Sequence, residues 1–324
     1  MTKNVKDIHS EKRVNMWNES IGNHKPFIDE STGLFRDEFI EERSCPACQE
    51  NNCQKMFSKE GGQYVKCNSC NMVYLNPVFT NEALTQYYTN NQVEQGVVVA
   101  DDAPFYANLY NKGLTSAENI TSVGNILDIG CSSGIFLDIS KGKGWKTYGL
   151  ELNKIEFSVS QGKGHKVQNE LLENALFDEK FNVISLWDVF EHIKDGDSTL
   201  KLMKDLLTDN GVILLQIPSS DALAAKIMQE KCNMFDGLEH TNLYGIESLT
   251  KLVESNGLKI LDVQSVIPET GVLNNYLNYG DPYKESNNNF DSVLDLFSDE
   301  QVLKSLLGYK LQVVIGSKYS APTN

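Results

Sequence analysis

The sequence predicts an α/β fold in which a parallel sheet follows a small cysteine-rich module. From Ile126 to about Ser317, short apolar runs alternate with stretches of helical periodicity, as in parallel sheets covered by helices. A glycine turn, Asp128 to Gly134, directly follows the first apolar run, at the edge where such sheets bind ligands. Upstream, two C-x2-C pairs lie within residues 45–70. The cysteine module and the sheet are therefore expected to be separate parts of the chain.

The composition disfavours several classes of protein. The 324 residues are 40% hydrophobic and 23% charged, which is typical of a globular chain. There is no run of about 18 apolar residues, and the polar start lacks the apolar segment of a secretory signal. We therefore expect a cytoplasmic protein without a membrane span. The net charge of −15 disfavours nucleic acid, because phosphate binding depends on Lys and Arg side chains that release counterions.

The chain divides into four predicted regions that differ in composition and periodicity. They are a polar helical extension (1–44), a cysteine module (45–80), a helical linker or cap (81–120) and the main domain (121–324), which has an insertion at 268–308. The insertion contains the Asn-rich stretch 274–291, which predicts a long loop.

Seven strands are predicted in the main domain, each as a short apolar run bounded by turn residues. Their bounds are 125–129, 146–151, 165–169, 181–187, 212–218, 258–266 and 309–318. Apolar periodicity and terminal glycines predict intervening helices at 135–144, 153–164, 198–207 and 245–257. The close spacing of the last elements predicts an antiparallel edge.

The glycine turn indicates which ligand the sheet binds. Its glycines let the backbone approach a ligand at the positive N-terminus of the next helix. The spacing is G-x-x-x-G, and Asp128 would repel a pyrophosphate but suit a cation. Glu151 ends the second strand, where a carboxylate can accept two hydrogen bonds from a ribose diol. The implied ligand is a nucleoside with a positive group rather than a dinucleotide.

Four successive segments carry a resemblance to a known family. ILDIGCSSGIFL, YGLELN, FNVISLWDVFEHI and GVILLQIPSS are similar to the successive motifs of the class I S-adenosylmethionine-dependent methyltransferases. The resemblance covers about residues 126–266 and implies a Rossmann-like sheet of seven strands with an antiparallel final strand. It also implies S-adenosylmethionine as the cofactor.

The resemblance assigns cofactor-binding residues along the chain. Around the methionine end of the cofactor, in the glycine turn, it implies Asp128, Gly130, Cys131 and Gly134. Glu151 would take the ribose hydroxyls, Leu171 and Leu172 would flank the adenine, and Trp187 and Asp188 would close the pocket.

The cysteine module predicts a metal site. Cys45-Pro-Ala-Cys48 and Cys67-Asn-Ser-Cys70 are separated by 18 residues, which matches the spacing of four-thiolate zinc sites. Four thiolates fill the coordination sphere, so we expect a structural zinc ribbon rather than a catalytic centre. Cys53, Cys131 and Cys232 lie outside this pattern.

Two histidines are candidates for the general base, because the pKa of imidazole is ordinarily near neutral pH. His192 follows the fourth strand, and His240 follows the fifth. The Glu239-His240 pair resembles the Glu-His pair of zinc-containing sugar C-methyltransferases. In this chain, we expect Glu239 to orient the imidazole of His240. Those enzymes carry a Tyr where this chain has Gly237, so an O-methyl acceptor is favoured.

The predicted function is therefore transfer of a methyl group to a small polar acceptor such as a sugar or a sugar nucleotide. A zinc ribbon before a methyltransferase domain resembles the sugar methyltransferases of polysaccharide and antibiotic pathways, and also ribosomal RNA methyltransferases. Three alternatives stay open: a ribosomal or transfer RNA methyltransferase, a non-catalytic zinc-ribbon adaptor, and a serine hydrolase. The hydrolase would use Ser132 of the G-C-S-S-G turn, with His192 or His240 as base.

Overall fold

The computed structural model describes residues 18–90, 103–284 and 298–317. The chain forms two compact units, each made of several segments. The first unit comprises Met1–Val93, Pro218–Glu247 and Gln264–Leu311, and the second comprises Glu94–Ile217, Ser248–Val263 and Gln312–Asn324. This division differs from the predicted one, which placed 218–247 and 264–311 with the main sheet.

The described residues form the following strands and helices. The strands are β1 Ile40–Glu41, β2 Cys53–Lys59, β3 Gly62–Cys67, β4 Val73–Leu75, β5 Val78–Phe79, β6 Asn125–Ile129, β7 Lys146–Leu150, β8 Lys166–Gln168, β9 Phe181–Trp187, β10 Leu207–Pro218, β11 Asn242–Leu243, β12 Lys259–Val266 and β13 Lys310–Gly316. The α-helices are α1 Asn81–Asn90, α2 Ala103–Glu118, α3 Ile135–Gly142, α4 Lys154–Gly162, α5 Gly196–Leu206, α6 Leu223–Met228, α7 Ile246–Ser255, α8 Thr270–Leu277 and α9 Asp299–Lys304. Short 3-10 helices occupy Lys25–Phe27, Asp37–Phe39, Phe190–His192 and Gln229–Lys231. None of the helices in these ranges has the length and hydropathy needed to cross a bilayer.

The second unit is built on a mixed seven-stranded sheet in the order β12-β13-β10-β9-β6-β7-β8. The α/β fold with seven strands is therefore confirmed. Strand β6 is parallel to both β7 and β9, and its Ile126 and Leu127 are fully buried. The chain proceeds from β6 to β7 and β8 on one side, while β9 and β10 lie on the other. The carboxyl end of β6 is consequently at the switch point where open α/β sheets bind ligands.

The largest difference from the predicted bounds in this unit is at the start of β10. Strand β10 begins at Leu207, which pairs with Phe181, and the register then shifts before Val212. The sequence predicted a helix up to residue 207 and a strand from 212, because the bulge carries the polar stretch Thr208–Gly211 that resembles a turn. In the first unit, α8 takes up the start of the predicted 274–291 loop, of which residues 285–291 lie outside the described ranges.

The first unit contains the antiparallel sheet β11-β4-β3-β2 and the small pair β1-β5. A buried apolar cluster joins the cysteine module to the later segments, including Tyr64, Val73, Met234, Phe235 and Val272. Because segments that share a core form one unit, this cluster explains why residues 218–247 and 264–311 belong to the first unit and not, as predicted, to the main domain.

The predicted helical extension 1–44 has little regular helix in its described part. Residues 18–22 are helical, and two 3-10 turns and β1 follow. Phe27 and Phe35 of this segment are buried in a second apolar cluster, which also contains Phe79 and Tyr87. Residues 1–17 of the extension and 91–102 of the predicted linker lie outside the described ranges.

Candidate active site

The turn after β6 is shaped by two glycines. Gly130 has φ +74°, and a Cβ there would lie 2.6 Å from Cγ2 of Val189. Gly134 has φ +79°, and a Cβ there would lie 2.5 Å from Oγ of Ser160. Any other residue would be strained in this left-handed region and would also clash. The turn brings bare backbone to the N-terminus of α3, a position suited to a ligand.

Glu151 directly follows β7 and holds the glycine turn. Its Oε2 accepts a hydrogen bond of 2.8 Å from the backbone N–H of Ser132, and its Oε1 accepts one of 2.7 Å from that of Asn153. Burial raises the pKa of this carboxyl group, although both hydrogen bonds oppose the rise. Each carboxylate oxygen has more than one lone pair, so the group can also accept hydrogen bonds from a diol.

Asp128 lies beneath the turn with 2% of its surface exposed. Its Oδ1 accepts a hydrogen bond of 2.6 Å from the hydroxyl of Ser185 on β9. Burial raises the pKa of Asp128 to about 8, and the negative charge of Glu151 adds to the rise. The carboxyl group is thus mostly protonated at pH 7, and a cationic ligand beside it would favour its ionised form.

Cys131 belongs to the core rather than to the surface of the turn. Its thiol is buried, and a Cβ on Gly149 would lie 2.6 Å from its sulfur. Its backbone N–H donates to the carbonyl of Leu150, and its carbonyl accepts from the N–H of Gly134. These contacts let Cys131 support the turn from within the protein.

The residues predicted to flank the adenine and close the pocket differ in exposure. Leu171 is 47% exposed and Leu172 is half-buried, both just after β8. Trp187 is buried, with ring centroids 4.7 Å from Tyr110 and 4.9 Å from Phe136. It therefore packs as a core residue.

Asp188 directly follows β9 and lies in the left-handed region, with φ +57°. Its Oδ2 accepts a hydrogen bond of 3.1 Å from Nε2 of Gln216, and its backbone N–H donates to the carbonyl of the same residue. This paired contact with β10 fixes the backbone turn that leads into the 3-10 helix Phe190–His192.

The four predicted zinc ligands converge in the first unit. The sulfurs of Cys45, Cys48, Cys67 and Cys70 all lie within 4.8 Å of one another. Two of the separations are 3.5 Å, between Cys45 and Cys70, and 3.6 Å, between Cys48 and Cys67. A tetrahedral zinc ion with bonds of about 2.3 Å needs sulfurs about 3.8 Å apart. The donor set and its spacing therefore fit zinc.

His240 lies in the first unit, and its imidazole is fixed by local contacts. Nδ1 is 2.7 Å from the carbonyl oxygen of Met234. A carbonyl can only accept, so Nδ1 carries the proton and Nε2 carries the lone pair of the neutral ring. Oδ2 of Asp236 is 3.5 Å from Nδ1, and the Asp236 carboxylate also accepts from the N–H groups of Leu238 and His240.

Asp236, which contacts the candidate base His240, is a residue that the sequence interpretation missed. The expected orienting residue, Glu239, accepts hydrogen bonds at Oε1 from Ser20, at 2.9 Å, and from Tyr87, at 2.5 Å. The spacing of Asp236 and His240, four residues apart, was the signal available in the sequence.

His192 lies in the second unit, as does the glycine turn. Its side chain is 25% exposed, and Nε2 is 4.0 Å from Oε1 of the buried Glu191. The hydroxyl of Ser132, the alternative nucleophile, is buried without a hydrogen-bond partner among the described residues. A serine nucleophile needs an adjacent base, so the geometry does not favour the hydrolase.

Known proteins resemble this chain in its central part. Residues 105–263 match the model of a family described as "Methyltransferase domain". The ubiquinone biosynthesis O-methyltransferase of Pasteurella multocida (strain Pm70) is 31% identical over 107 residues, which cover 27% of this chain and 43% of that protein. The chain thus spans less than half the length of this curated relative.

Solved structures of methyltransferases align with this chain at low identity. An S-adenosylmethionine-dependent methyltransferase of Clostridium acetobutylicum ATCC 824 aligns over 64% of this chain and 90% of its own, with 14% identity and a TM-score of 0.43. A possible histamine N-methyltransferase of Thermotoga maritima aligns over 69% and 97%, with 16% identity and a TM-score of 0.46.

The central part of the chain is a methyltransferase domain. The match to the family model and the mixed seven-stranded sheet of this chain support the class predicted from the four sequence segments, an S-adenosylmethionine-dependent methyltransferase.

Proposed function

We propose that the protein transfers a methyl group from S-adenosylmethionine to a hydroxyl of a small polar acceptor, with a sugar or sugar nucleotide as the preferred class. The observation that carries the proposal is the pairing of Glu151 with the glycine turn beside the buried Asp128. A buried acid that can ionise beside a positive charge, next to a carboxylate that can accept hydrogen bonds from a diol, suits a nucleoside that carries positive charge.

The cofactor site that we propose is formed by the second unit. Gly130 and Gly134 let the backbone approach the methionine part, and Asp128 offers a negative charge once it ionises. Glu151 accepts hydrogen bonds from the ribose hydroxyls. Further proposed contacts come from Leu171, Leu172 and Asp188, while Cys131 and Trp187 support the site from the core. When bound, S-adenosylmethionine supplies an electrophilic methyl group.

His240 is the proposed general base. Its Nε2 accepts the proton of the acceptor hydroxyl as the acceptor oxygen bonds to the methyl carbon and the carbon–sulfur bond breaks. The products are a methyl ether and S-adenosylhomocysteine. Asp236 and the Met234 carbonyl stabilise the imidazolium that forms, because both face Nδ1. His192 is the competing candidate for this role.

The first unit contributes a structural zinc ion in this proposal. Cys45, Cys48, Cys67 and Cys70 would hold it, and their four thiolates leave no open coordination position. Cysteines arranged as a metal site rather than as a disulfide framework support a reducing compartment such as the cytoplasm.

Two of the other candidate functions have less support. The net charge of −15 disfavours an RNA acceptor. A non-catalytic adaptor has no need of the buried Asp128, whose burial makes the protein lose stability as the pH rises towards 8.

The test is single-turnover methyl transfer from radiolabelled S-adenosylmethionine to a panel of nucleoside-diphosphate hexoses, free hexoses, a phenol and total RNA. We expect labelling of a carbohydrate. His240→Ala and His240→Gln should lower the rate by at least about tenfold, since loss of a general base typically costs ~10²–10⁴, and S-adenosylhomocysteine affinity should stay unchanged. Labelling of RNA alone would refute the acceptor class. A large loss in His192→Ala with normal rates in both His240 variants would transfer the role of base to His192.

A further inference from the structure

We infer that Tyr64 on β3 and Arg43, two residues before Cys45, are positioning residues for His240. The metal-binding module would then set the geometry of the base as well as stabilise the fold. This inference rests on the proposed role of His240.

The chain that follows His240 is part of the cysteine-bearing sheet. Strand β11 pairs with β4, with Asn242 opposite Tyr74 and Leu243 opposite Val73. The N–H of Leu75 adds a hydrogen bond of 3.0 Å to the carbonyl of Thr241. Strand β4 begins three residues after Cys70, and β3 ends at Cys67. The predicted metal site and the His240 segment thus share one small sheet.

Tyr64 holds the backbone on the other side of His240. Its hydroxyl accepts a hydrogen bond of 3.1 Å from the N–H of Gly237 and donates one of 3.3 Å to the carbonyl of His240. The ring is fully buried and packs on Phe235 at 5.0 Å between centroids. One phenol therefore satisfies two backbone groups of the loop that presents the imidazole.

The same loop is closely packed against the β2–β3 hairpin. Gly237 has φ +89°, and a Cβ there would lie 2.3 Å from the carbonyl oxygen of Lys59. A Cβ on Gly62 would lie 2.0 Å from the carbonyl oxygen of Gly237. Two backbones in such close contact cannot shift independently, so a change in the hairpin reaches the loop.

Arg43 fixes the segment just after His240. Nη2 donates to the carbonyl of Thr241 at 2.8 Å and to Oδ1 of Asn242 at 2.9 Å, while Nε donates to the carbonyl of Leu75 at 3.0 Å. Arg43 is two residues before Cys45. The guanidinium therefore links the first cysteine knuckle directly to β11.

The orientation of the imidazole depends on this arrangement. Nδ1 of His240 binds the Met234 carbonyl and faces Asp236, and these groups come from the loop that Tyr64 holds. Removal of the Tyr64 hydroxyl removes one hydrogen bond from the N–H of Gly237 and one from the carbonyl of His240, and the loss of both should let the loop rearrange. The Nδ1–H tautomer, which leaves the lone pair on Nε2, should then lose its preference.

The test is a long-range ¹H–¹⁵N spectrum of the imidazole nitrogens, with His240 assigned by its loss in His240→Gln. The chain has five histidines, so the spectrum is resolvable. We expect wild-type His240 to be the Nδ1–H tautomer, and Tyr64→Phe and Cys67→Ser to give a mixture of tautomers. The matched control is Tyr74→Phe on β4, whose hydroxyl makes no hydrogen bond with the His240 loop in the described ranges. Its spectrum should equal that of the wild type.

Arg43→Lys is the second variant, in case Tyr64→Phe does not fold, because lysine keeps the charge but cannot donate to three acceptors in a fork. It should also mix the tautomers, while S-adenosylhomocysteine affinity stays within about twofold and the turnover of any acceptor falls about tenfold. A wild-type His240 spectrum in the folded variants would overturn the inference, as would an Nε2–H tautomer in the wild type. A shifted tautomer in a protein that fails to bind S-adenosylhomocysteine would instead support the inference and refute the proposed function.

Discussion

The stability of Asp128→Asn relative to that of the wild type should increase as the pH rises. In the folded protein, burial raises the pKa of Asp128 to about 8, against an ordinary value of 3.8. The stability that this group contributes is complete below about pH 4, and it is lost as the pH rises towards 8, because the unfolded chain ionises there and the folded one does not. Asparagine keeps an acceptor for Ser185 and does not titrate.

The size of the effect follows from the width of that window. Each pH unit between the two pKa values changes the free energy of unfolding by about 1.4 kcal/mol. Between pH 5 and pH 7, the free energy of unfolding of the wild type should therefore fall relative to that of Asp128→Asn by about 2–3 kcal/mol.

Urea unfolding of both proteins at pH 5, 6 and 7 measures this difference. Tryptophan fluorescence is a suitable signal, since Trp145 and Trp187 are both buried in the second unit. The comparison at pH 5 serves as the internal reference for any change in packing. A stability difference that stays constant from pH 5 to pH 7 would refute the reasoning, because it would mean that Asp128 is ionised throughout.

Three further predictions concern the metal site and the core. Metal analysis should give about one zinc per chain, falling below about half an equivalent in Cys67→Ser but not in Cys53→Ser; equal zinc in both variants would contradict the ligand set. Gly134→Ala should lower the free energy of unfolding by more than about 1 kcal/mol, because its φ is +79° and its Cβ would meet Ser160; unchanged urea stability would refute this. Trp187→Ala should cost about 3–5 kcal/mol as a core truncation, and a loss below about 1 kcal/mol would show that the ring is not part of the core.

The strands of the second unit could be predicted from the sequence because fully buried parallel strands are short apolar runs. The turn from Asp128 to Gly134 was recognisable for a related reason, since its glycines take left-handed φ values that other residues avoid. The direction of the Cys131 thiol was not predictable. It depends on how the turn packs against Gly149, which only the tertiary structure defines.

The membership of 218–247 in the first unit could not be predicted either. It depends on β11, which is only two residues long and shows no periodicity. For the same reason Asp236 was missed, because its closeness to His240 arises from a loop shaped by Tyr64 on another strand.

Isothermal titration of the full chain with S-adenosylhomocysteine tests the central claim most directly. We predict one binding site per chain in the wild type, no binding of NADH, and an affinity about 5- to 150-fold weaker in Glu151→Ala, equivalent to ~1–3 kcal/mol for the lost charged partner of the ribose hydroxyls. Binding of NADH without S-adenosylhomocysteine would contradict the assignment of the cofactor, and equal affinity in Glu151→Ala would remove that carboxylate from the site.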